Sequence, residues 1–374
     1  MKIILTGGGT GGHFYPLIAV TDALNFIAEQ EKLVKTDIIF MSDSPYDANL
    51  LTQKGIRFKK INAGKVRRYF SIKNIPDLFK TFSGIIEAIF SVYADFPDAI
   101  FCKGGYASFP IVVAARILGI PVMVHESDVI PGKVNKWAGK FARKVAISYS
   151  SSLKYFPEKR TALTGNPVRK EFFIRATTGA KEFFDLGNDT PTLFITGGSQ
   201  GSKIMNDVFL EILPSLLEKY QIIHQTGKET FEDTKGRSLI VLNDSKYKTR
   251  YHLVGSLNLS GMRMALGAAD LVISRAGSGI FEIAASGLPS ITIPLANSAQ
   301  DHQRRNAYEY AKTGATDVIE EKNLTPNVLL SEINMLMEDE AKRKEMGAAA
   351  KKFSTPDAAE KIARGILDLV LEHS

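Results

Sequence analysis

The chain has 374 residues, of which 44% are hydrophobic and 23% charged, and its formal net charge is +7. This composition is that of a folded globular protein and excludes a disordered chain, and the length predicts two domains. The single cysteine, Cys102, excludes an intrachain disulfide framework and a cysteine-rich zinc site, so we expect a reducing, cytoplasmic compartment.

The sequence contains no apolar run long enough for a transmembrane helix and no recognisable secretory signal, so we expect a chain that does not span a membrane. Charge is distributed unevenly, with 22 basic against 13 acidic residues up to position 168 and 25 against 27 after it. A basic N-terminal half indicates that this half meets an anionic surface or ligand. Nucleic acid is not expected as a partner, because no nucleic-acid-binding motif is recognisable.

The first half of the chain alternates short apolar runs with helical patterns. Such alternation predicts the buried strands of a parallel α/β sheet. The predicted strands are 2–5, 37–41, 99–102, 122–125 and 145–147.

A hinge-like stretch at 164–167 precedes a second series of the same kind, with predicted strands at 193–196, 221–224, 239–242, 271–274 and 290–294. Both series open with a strand, a glycine-rich turn and a helix start. We therefore predict two Rossmann-like domains, 1–166 and 167–354, with parallel sheets that face each other across a cleft. The closing segment 355–374 has helical periodicity and is expected to pack back on the first domain.

Three glycine-rich turns follow predicted strands. Residues 7–12 satisfy the dinucleotide fingerprint, and the turns at 104–108 and 197–201 likewise present backbone amides that suit a phosphate. The fingerprint also needs a ribose-binding carboxylate about 20 positions on, and Asp43 comes roughly ten positions too late. One diphosphate-bearing ligand in each half is the economical interpretation, and tight turns without a ligand are the alternative.

Eight segments occur in an order and spacing that span nearly the whole chain. They are GGGTGGHFYP (7–16), GGYASFP (104–110), HESDVIPGKVNKW (125–137), TGNPVR (164–169), GGSQGS (197–202), HQTGK (224–228), SRAGSGIFEIAASGLPSITIP (274–294) and DHQRRNA (301–307). Together they resemble the MurG family of peptidoglycan glycosyltransferases, inverting enzymes of glycosyltransferase family 28 with the GT-B fold.

The resemblance implies transfer of N-acetylglucosamine from UDP-N-acetylglucosamine to the 4-hydroxyl of N-acetylmuramoyl pentapeptide carried on undecaprenyl diphosphate. The C-terminal half would bind the donor, and the N-terminal half would bind the acceptor at the cytoplasmic face of the membrane, as a peripheral protein. No cofactor is implied. Because the sequence has no Asp-x-Asp pair, we expect no essential metal.

For the donor, the resemblance implies that Glu282 binds the ribose hydroxyls, Ser199 the phosphates, and Gln303 with Asn306 the sugar. Glu282 complementing a helix N-terminus and the two amides lying on a solvated face are the alternatives. Backbone near Leu259 would contact the uracil, and Arg169 or Arg275 would neutralise the departing UDP. Further donor candidates are Thr10, Gly11, Gly12, Asp128, Gln200, Ser278 and Gly279.

For the acceptor, His13 is the candidate general base, because histidine titrates near neutral pH. The alternative is that His13 only orients the phosphate or the turn, and Asp128 is a second catalytic candidate. The acceptor-binding candidates are Gly9, Thr10, Gly11, Gly12, His13, Tyr106 and Glu126.

Two departures from the family's pattern concern these candidates. The family usually has His-Glu-Gln-Asn where this chain has His125-Glu126-Ser127-Asp128, so a carboxylate replaces a neutral amide and either adds a base or repels a phosphate. The turn from Arg275 to Glu282 is one residue shorter than usual, which leaves the contacts of Ser278 and Gly279 open.

Cations accompany apolar side chains between positions 65 and 82, a pattern that favours contact with an anionic membrane surface. One helical stripe continues through Phe82, Ile85, Ile86, Ile89 and Phe90. It is expected to pack on a sheet, which leaves only the first helical turns for lipid. The membrane candidates are Arg67, Arg68, Tyr69, Phe70, Lys73, Ile75 and Leu78.

Three other functions remain as alternatives. A UDP-N-acetylglucosamine epimerase or another UDP-sugar enzyme shares the fold but needs no lipid-binding surface. A nicotinamide-dependent oxidoreductase fits the first glycine turn but lacks the ribose carboxylate at the usual spacing. A nucleotide-binding regulator would bind the UDP-sugar without releasing UDP.

Overall fold

The computed structural model describes residues 1–65, 74–198 and 200–373. The chain divides into two compact units, one formed by Met1–Arg169 with Thr355–Ser374 and the other by Lys170–Ser354. No helix in the described ranges is long and apolar enough to cross a membrane.

The described part of the first unit forms a seven-stranded sheet in which every pairing is parallel, in the order β3-β2-β1-β4-β5-β6-β7. Its strands are β1 (Lys2–Gly7), β2 (Asp37–Ser42), β3 (Arg57–Lys60), β4 (Ala99–Gly104), β5 (Val122–Glu126), β6 (Lys144–Ile147) and β7 (Thr161–Leu163). The helices that connect them are α1 (Gly11–Gln30), α2 (Ala48–Gln53), α3 (Asn74–Asp95), α4 (Phe109–Leu118) and α5 (Lys133–Ala138).

The second unit contains a six-stranded parallel sheet in the order β10-β9-β8-β11-β12-β13. Its strands are β8 (Thr192–Thr196), β9 (Gln221–Gln225), β10 (Tyr251–Val254), β11 (Leu271–Ser274), β12 (Ser290–Thr292) and β13 (Thr316–Val318). Its helices are α6 (Lys203–Lys219), α7 (Phe231–Val241), α8 (Leu259–Ala268), α9 (Gly279–Ala285), α10 (His302–Ala311), α11 (Pro326–Glu338) and α12 (Glu340–Phe353).

The closing helix α13 (Ala358–His373) belongs to the first unit, where it packs on α1. Its apolar positions recur at helical spacing, and Ile362 and Ile366 lie fully buried in one cluster with Leu17 and Ile3. Burial of each such side chain contributes about 1.5–3 kcal/mol to the stability of the first unit.

The predicted α/β class with two parallel sheets is confirmed, and so are the central strands of both sheets. The strand predicted at 239–242 is wrong, because these residues form the end of α7 and the residue after it. A four-residue apolar run fits a helix as well as a strand, and here Leu239 and Ile240 lie exposed on the outer surface.

The four strands that the sequence did not predict, β3, β7, β10 and β13, are the edge strands of the two sheets. Most of their residues are half-buried or exposed, whereas every residue of β4, β8 and β9 is buried. An edge strand is covered less completely by helices, so its sequence lacks the continuous apolar run by which a central strand is recognised.

Candidate active site

Two glycine-rich turns meet at the C-terminal edge of the first sheet. They follow the neighbouring strands β1 and β4, between which the strand order reverses, and open α/β sheets bind ligands at such a switch point. The amide of Gly8 donates to the carbonyl of Gly104 at 3.3 Å. A β-carbon on Gly105, whose φ is +89°, would lie 2.6 Å from the carbonyl oxygen of Gly8. The contact between the two backbones therefore requires glycine at position 105.

Helix α1 begins at this switch point, immediately after Thr10. The hydroxyl of Thr10 lies 3.2 Å from Nδ1 of His13 and does not cap the helix. The first amides of a helix point outward and favour an anion. The candidates Thr10, Gly11, Gly12 and His13 are therefore together at one helix N-terminus, and Gly9 precedes them in the turn.

Tyr106 lies over this turn, with Cε1 3.3 Å from where a β-carbon on Gly9 would be. The Tyr106 hydroxyl donates to the carboxylate of Asp43, which directly follows β2. Burial, and then the Asp43 carboxylate, raise the pKa of Tyr106, so the phenol stays protonated. Asp43 comes later in the sequence than the dinucleotide fingerprint requires because α1, which precedes β2, is 20 residues long. It nevertheless lies at the C-terminal end of β2.

Glu126 ends β5 and is buried. Its carboxylate accepts hydrogen bonds from the amides of Asp128 at 2.9 Å and Gly132 at 3.0 Å, and from Nδ2 of Asn135 at 3.0 Å. Burial is the main cause that raises the pKa of Glu126 to about 7, and the charge of Asp128 acts in the same direction. Glu126 thus organises the turn that carries Asp128, and Asp128 itself is half-buried.

Arg169 is held by an aromatic cluster next to the start of α1. Its guanidinium lies 4.1 Å from the centroid of the Tyr15 ring, which meets Tyr46 edge to face. The Tyr46 hydroxyl lies 2.6 Å from where a β-carbon on Gly11 would be. Arg169 is 5% exposed, so its charge is fixed beside the first glycine turn.

The second unit has a corresponding switch point between β8 and β11. A β-carbon on Gly201, whose φ is +78°, would lie 2.0 Å from the carbonyl oxygen of Thr226, and Gly227 packs on the same residue. The turn after β8 is therefore held against the turn after β9 by backbone contact. Gln200 is exposed, whereas Ser199 lies outside the described residues.

The guanidinium group of Arg275 binds groups of the second unit itself. It donates to Oγ of Ser202 at 2.6 Å and to the carbonyl of Ile293 at 3.1 Å, and it pairs with the carboxylate of Glu321 at 2.5 Å. Ser202 also accepts from the amide of Met205 and caps α6. Because these donors are directed to protein groups, the geometry does not support Arg275 as the cation that neutralises UDP.

Glu282 lies half-buried in the first turn of α9. The turn before it is open, since β-carbons on Gly277 and Gly279 would meet no atom within 4 Å, and Ser278 is half-buried. Leu259 is the first residue of α8, so its amide is one of those that a helix leaves unpaired.

Gln303 and Asn306 lie in α10, but their side chains have different surroundings. The side-chain oxygen of Gln303 accepts from the amide of Leu295 at 3.0 Å, and Gln303 is half-buried. Asn306 is 1% exposed and donates to the carbonyl of Ala276 at 3.3 Å. Asn306 therefore supports the turn that precedes Glu282 and lies in the interior.

The expectation that this stripe of α3 packs on the sheet holds only in part. Ile89 packs against the core of the first unit and Ile85 is half-buried, whereas Phe82, Ile86 and Phe90 are 64%, 43% and 69% exposed. The helix buries its opposite face, where Gly84 approaches the backbone so closely that a β-carbon would lie 1.7 Å from the carbonyl oxygen of Asn62. The apolar stripe is continued by Leu78, Phe79 and Tyr93, all exposed. The candidates Arg67, Arg68, Tyr69, Phe70 and Lys73, and the side chain of Ile75, lie outside the described residues.

Two features of these sites were not predicted from the sequence. Lys103, at the end of β4, is buried with Nζ 2.8 Å from Oγ of Ser127. In the second unit, Asn206 donates to the carbonyl of Thr226 at 3.2 Å and lies 3.1 Å from Nε2 of His224. The lysine inside the apolar strand β4 could have indicated the buried Lys103 contact. The histidine of the HQTGK segment could have indicated the contact with Asn206.

Within the described ranges, no group of three or more His, Cys, Asp or Glu residues is arranged to hold a metal ion.

Comparison with known proteins identifies the family. Residues 3–147 match the glycosyltransferase family 28 N-terminal domain, and residues 192–362 match the C-terminal domain of the same family. The chain is 36% identical to the UDP-N-acetylglucosamine--N-acetylmuramyl-(pentapeptide) pyrophosphoryl-undecaprenol N-acetylglucosamine transferase of Clostridium kluyveri, over 90% of this chain and 91% of that protein. This chain belongs to glycosyltransferase family 28.

Two solved structures have a fold similar to that of this family 28 enzyme. Acinetobacter baumannii MurG superposes with a TM-score of 0.70 at 24% identity, over 98% of this chain and 99% of that one. A Neisseria meningitidis UDP-GlcNAc 2-epimerase superposes with a TM-score of 0.72 at 13% identity, over 98% and 100%. The GT-B fold is thus confirmed, and the family models and relatives identify the enzyme as an N-acetylglucosaminyltransferase in preference to an epimerase.

Proposed function

We propose that this enzyme transfers N-acetylglucosamine from UDP-N-acetylglucosamine to the 4-hydroxyl of undecaprenyl-diphosphate-linked N-acetylmuramoyl pentapeptide, with inversion at the sugar, in peptidoglycan synthesis. One observation carries the proposal. Each unit has a glycine-rich turn at its switch point, followed by a long helix, α1 in one unit and α6 in the other. Such a turn suits a diphosphate, and each of the two substrates contains one.

In this proposal the second unit binds the donor. The turn from Gly197 to Gln200, with Ser199, holds the diphosphate under the N-terminus of α6. Glu282 accepts hydrogen bonds from the ribose hydroxyls, and the open turn before it, with Ser278 and Gly279, leaves space for the nucleotide. The backbone at Leu259 contacts the uracil. Gln303 binds the sugar, whereas the buried Asn306 acts through the turn before Glu282.

The first unit binds the acceptor. Its diphosphate lies near the amides of Thr10, Gly11 and Gly12, with the cation of Arg169 beside this turn. The base, His13 or Asp128, takes the proton of the acceptor 4-hydroxyl as the oxygen attacks the anomeric carbon. The bond from that carbon to the phosphate oxygen breaks, and its electron pair leaves with UDP. Tyr106 and the turn organised by Glu126 shape the acceptor side.

We further propose that α3 attaches the enzyme to the cytoplasmic face of the membrane as a peripheral protein. The exposed stripe from Leu78 to Tyr93 spans most of the helix, and Lys80 is exposed in the same helix. An apolar helix face with neighbouring cations favours burial at an anionic lipid surface. The acceptor's lipid tail remains in the bilayer, so this attachment brings the enzyme to its substrate.

The test of the reaction is a UDP-release assay with UDP-N-acetylglucosamine, with and without the lipid-linked muramoyl acceptor. Release that requires the acceptor, with formation of a disaccharide product, is expected. Conversion of the donor to another sugar without acceptor would indicate an epimerase, and donor binding without turnover would indicate a regulator.

The test of membrane attachment is sedimentation with vesicles that contain anionic lipid. Phe82→Glu and Phe90→Glu are expected to reduce the bound fraction, because each places a charge in the apolar stripe. Ile240→Glu, at a position that is 78% exposed in the second unit, is the matched control. Equal binding of all three variants and the unaltered enzyme would refute this attachment.

A further inference from the structure

Lys103 is a buried lysine between the acceptor-side turns. It ends the apolar part of β4, is 1% exposed, and donates from Nζ to Oγ of Ser127 at 2.8 Å. Its β-carbon lies 3.1 Å from where a β-carbon on Gly7 would be, so its stem also packs under the first glycine turn. Lysine is almost never buried to this extent without a charged or polar partner.

The charges around Lys103 come from β5 and the turn that follows it. Burial lowers the pKa of Lys103, and the carboxylates of Glu126 and Asp128 oppose this by favouring its charged form. The other titratable groups that interact with Lys103 are Cys102 on β4 and His125 on β5. The buried Lys103 and Glu126 and the half-buried Asp128 thus interact beside the proposed acceptor site.

The hydrogen bonds of Glu126 depend on its ionisation. The amides of Asp128 and Gly132 and Nδ2 of Asn135 all donate to its carboxylate. An ionised carboxylate accepts from all of them, whereas a protonated carboxyl has an O–H that must itself donate. The turn from Ser127 to Gly132 is therefore held best when Glu126 is charged.

We infer that Lys103 is a positioning residue of the acceptor site, whose ammonium group fixes Ser127, next to Glu126 in the chain, and stabilises the charged form of the Glu126 carboxylate so that the turn holds Asp128 in place. This inference rests on the proposed assignment of the acceptor to the first unit. Neither Lys103 nor Ser127 touches substrate in this assignment, and both act through the turn.

The test compares Lys103→Met with the unaltered enzyme. Methionine keeps the length of the stem and removes the charge. Loss of a neighbouring cation raises the pKa of Glu126 above its value of about 7. The acidic limb of the pH profile of kcat/KM for the acceptor should then move up by about one pH unit or more. At neutral pH, kcat/KM for the acceptor should fall about fivefold for a shift of one pH unit, with UDP affinity unchanged because the proposed UDP-binding groups lie in the second unit.

Two further variants separate charge from hydrogen bonding. Ser127→Ala removes the partner of Nζ and keeps the cation, so its pH profile should stay close to that of the unaltered enzyme. Glu126→Gln cannot titrate, so adding Lys103→Met to it should no longer move the acidic limb. An unshifted profile in Lys103→Met, or an equal shift in the Glu126→Gln background, would overturn the inference.

Thermal unfolding across pH gives a readout that needs no substrate. A raised pKa makes Glu126 destabilising as pH rises from its ordinary value of 4.5 towards its folded value. In Lys103→Met this loss of stability should extend to higher pH than in the unaltered enzyme, and Glu126→Gln should abolish it. Absence of acceptor-dependent UDP release in the unaltered enzyme would defeat the proposed function. An unaltered melting profile in Lys103→Met would defeat the inference about Lys103.

Discussion

The contact between Gly201 and Gly227 supports the proposed diphosphate turn of the second unit, and Gly201→Ala tests it. Alanine at a φ of +78° costs about 1–2 kcal/mol from backbone strain. Its β-carbon would also lie 2.0 Å from the carbonyl oxygen of Thr226 and 2.9 Å from Cα of Gly227. These are backbone atoms, so the two turns must separate, which adds about 1–3 kcal/mol.

Gly198→Ala is the matched control. Gly198 has a similar φ of +80°, but a β-carbon there would meet no atom within 4 Å. It therefore has the strain without the steric overlap, and its expected cost is about 1–2 kcal/mol. Gly201→Ala should exceed this cost by about 1–3 kcal/mol and should weaken UDP binding, because the phosphate turn is displaced.

Denaturant unfolding of the second unit, followed with and without UDP, measures the stability difference, and calorimetric titration measures UDP affinity. If both alanine variants lose the same stability and the same affinity, the close approach of the two turns does not position the donor site, and the reasoning is refuted.

Three other results are expected. Glu282→Gln should weaken UDP binding by about 1.5–3 kcal/mol in calorimetric titration, because a charged acceptor of ribose hydrogen bonds is lost, with exposed Glu345→Gln unchanged; equal loss in both would contradict this. Burial lowers the pKa of His224 from 6.5 to about 3, so stability should be complete above pH 6.5 and fall by at most about 5 kcal/mol as pH drops towards 3. His224→Gln should flatten this dependence in urea unfolding, and a persisting slope would assign it elsewhere. A chelator should leave acceptor-dependent UDP release unchanged, and loss of activity that magnesium restores would contradict a metal-free mechanism.

Local sequence pattern was sufficient for the central strands and the glycine turns. A strand buried on both faces is mostly apolar, and a backbone that approaches a phosphate or another backbone closely needs glycine. Both features can therefore be recognised within a few residues of sequence. The first unit illustrates this with β1 and Gly9, and the second with β8 and Gly201. The ordered motifs then sufficed for the family and its fold.

The partners of charged side chains required the fold. Arginine and lysine bind phosphates in many proteins. In this chain, however, Arg275 pairs with Glu321, and Lys103 donates a hydrogen bond to Ser127. In the same way, Phe82 and Phe90 have the spacing of a packed helix and lie on the open side of α3. Strand order and helix rotation bring together residues distant in sequence, and a residue's type does not specify which neighbour it meets. Edge strands, ion pairs and the exposed face of α3 therefore follow from the three-dimensional arrangement.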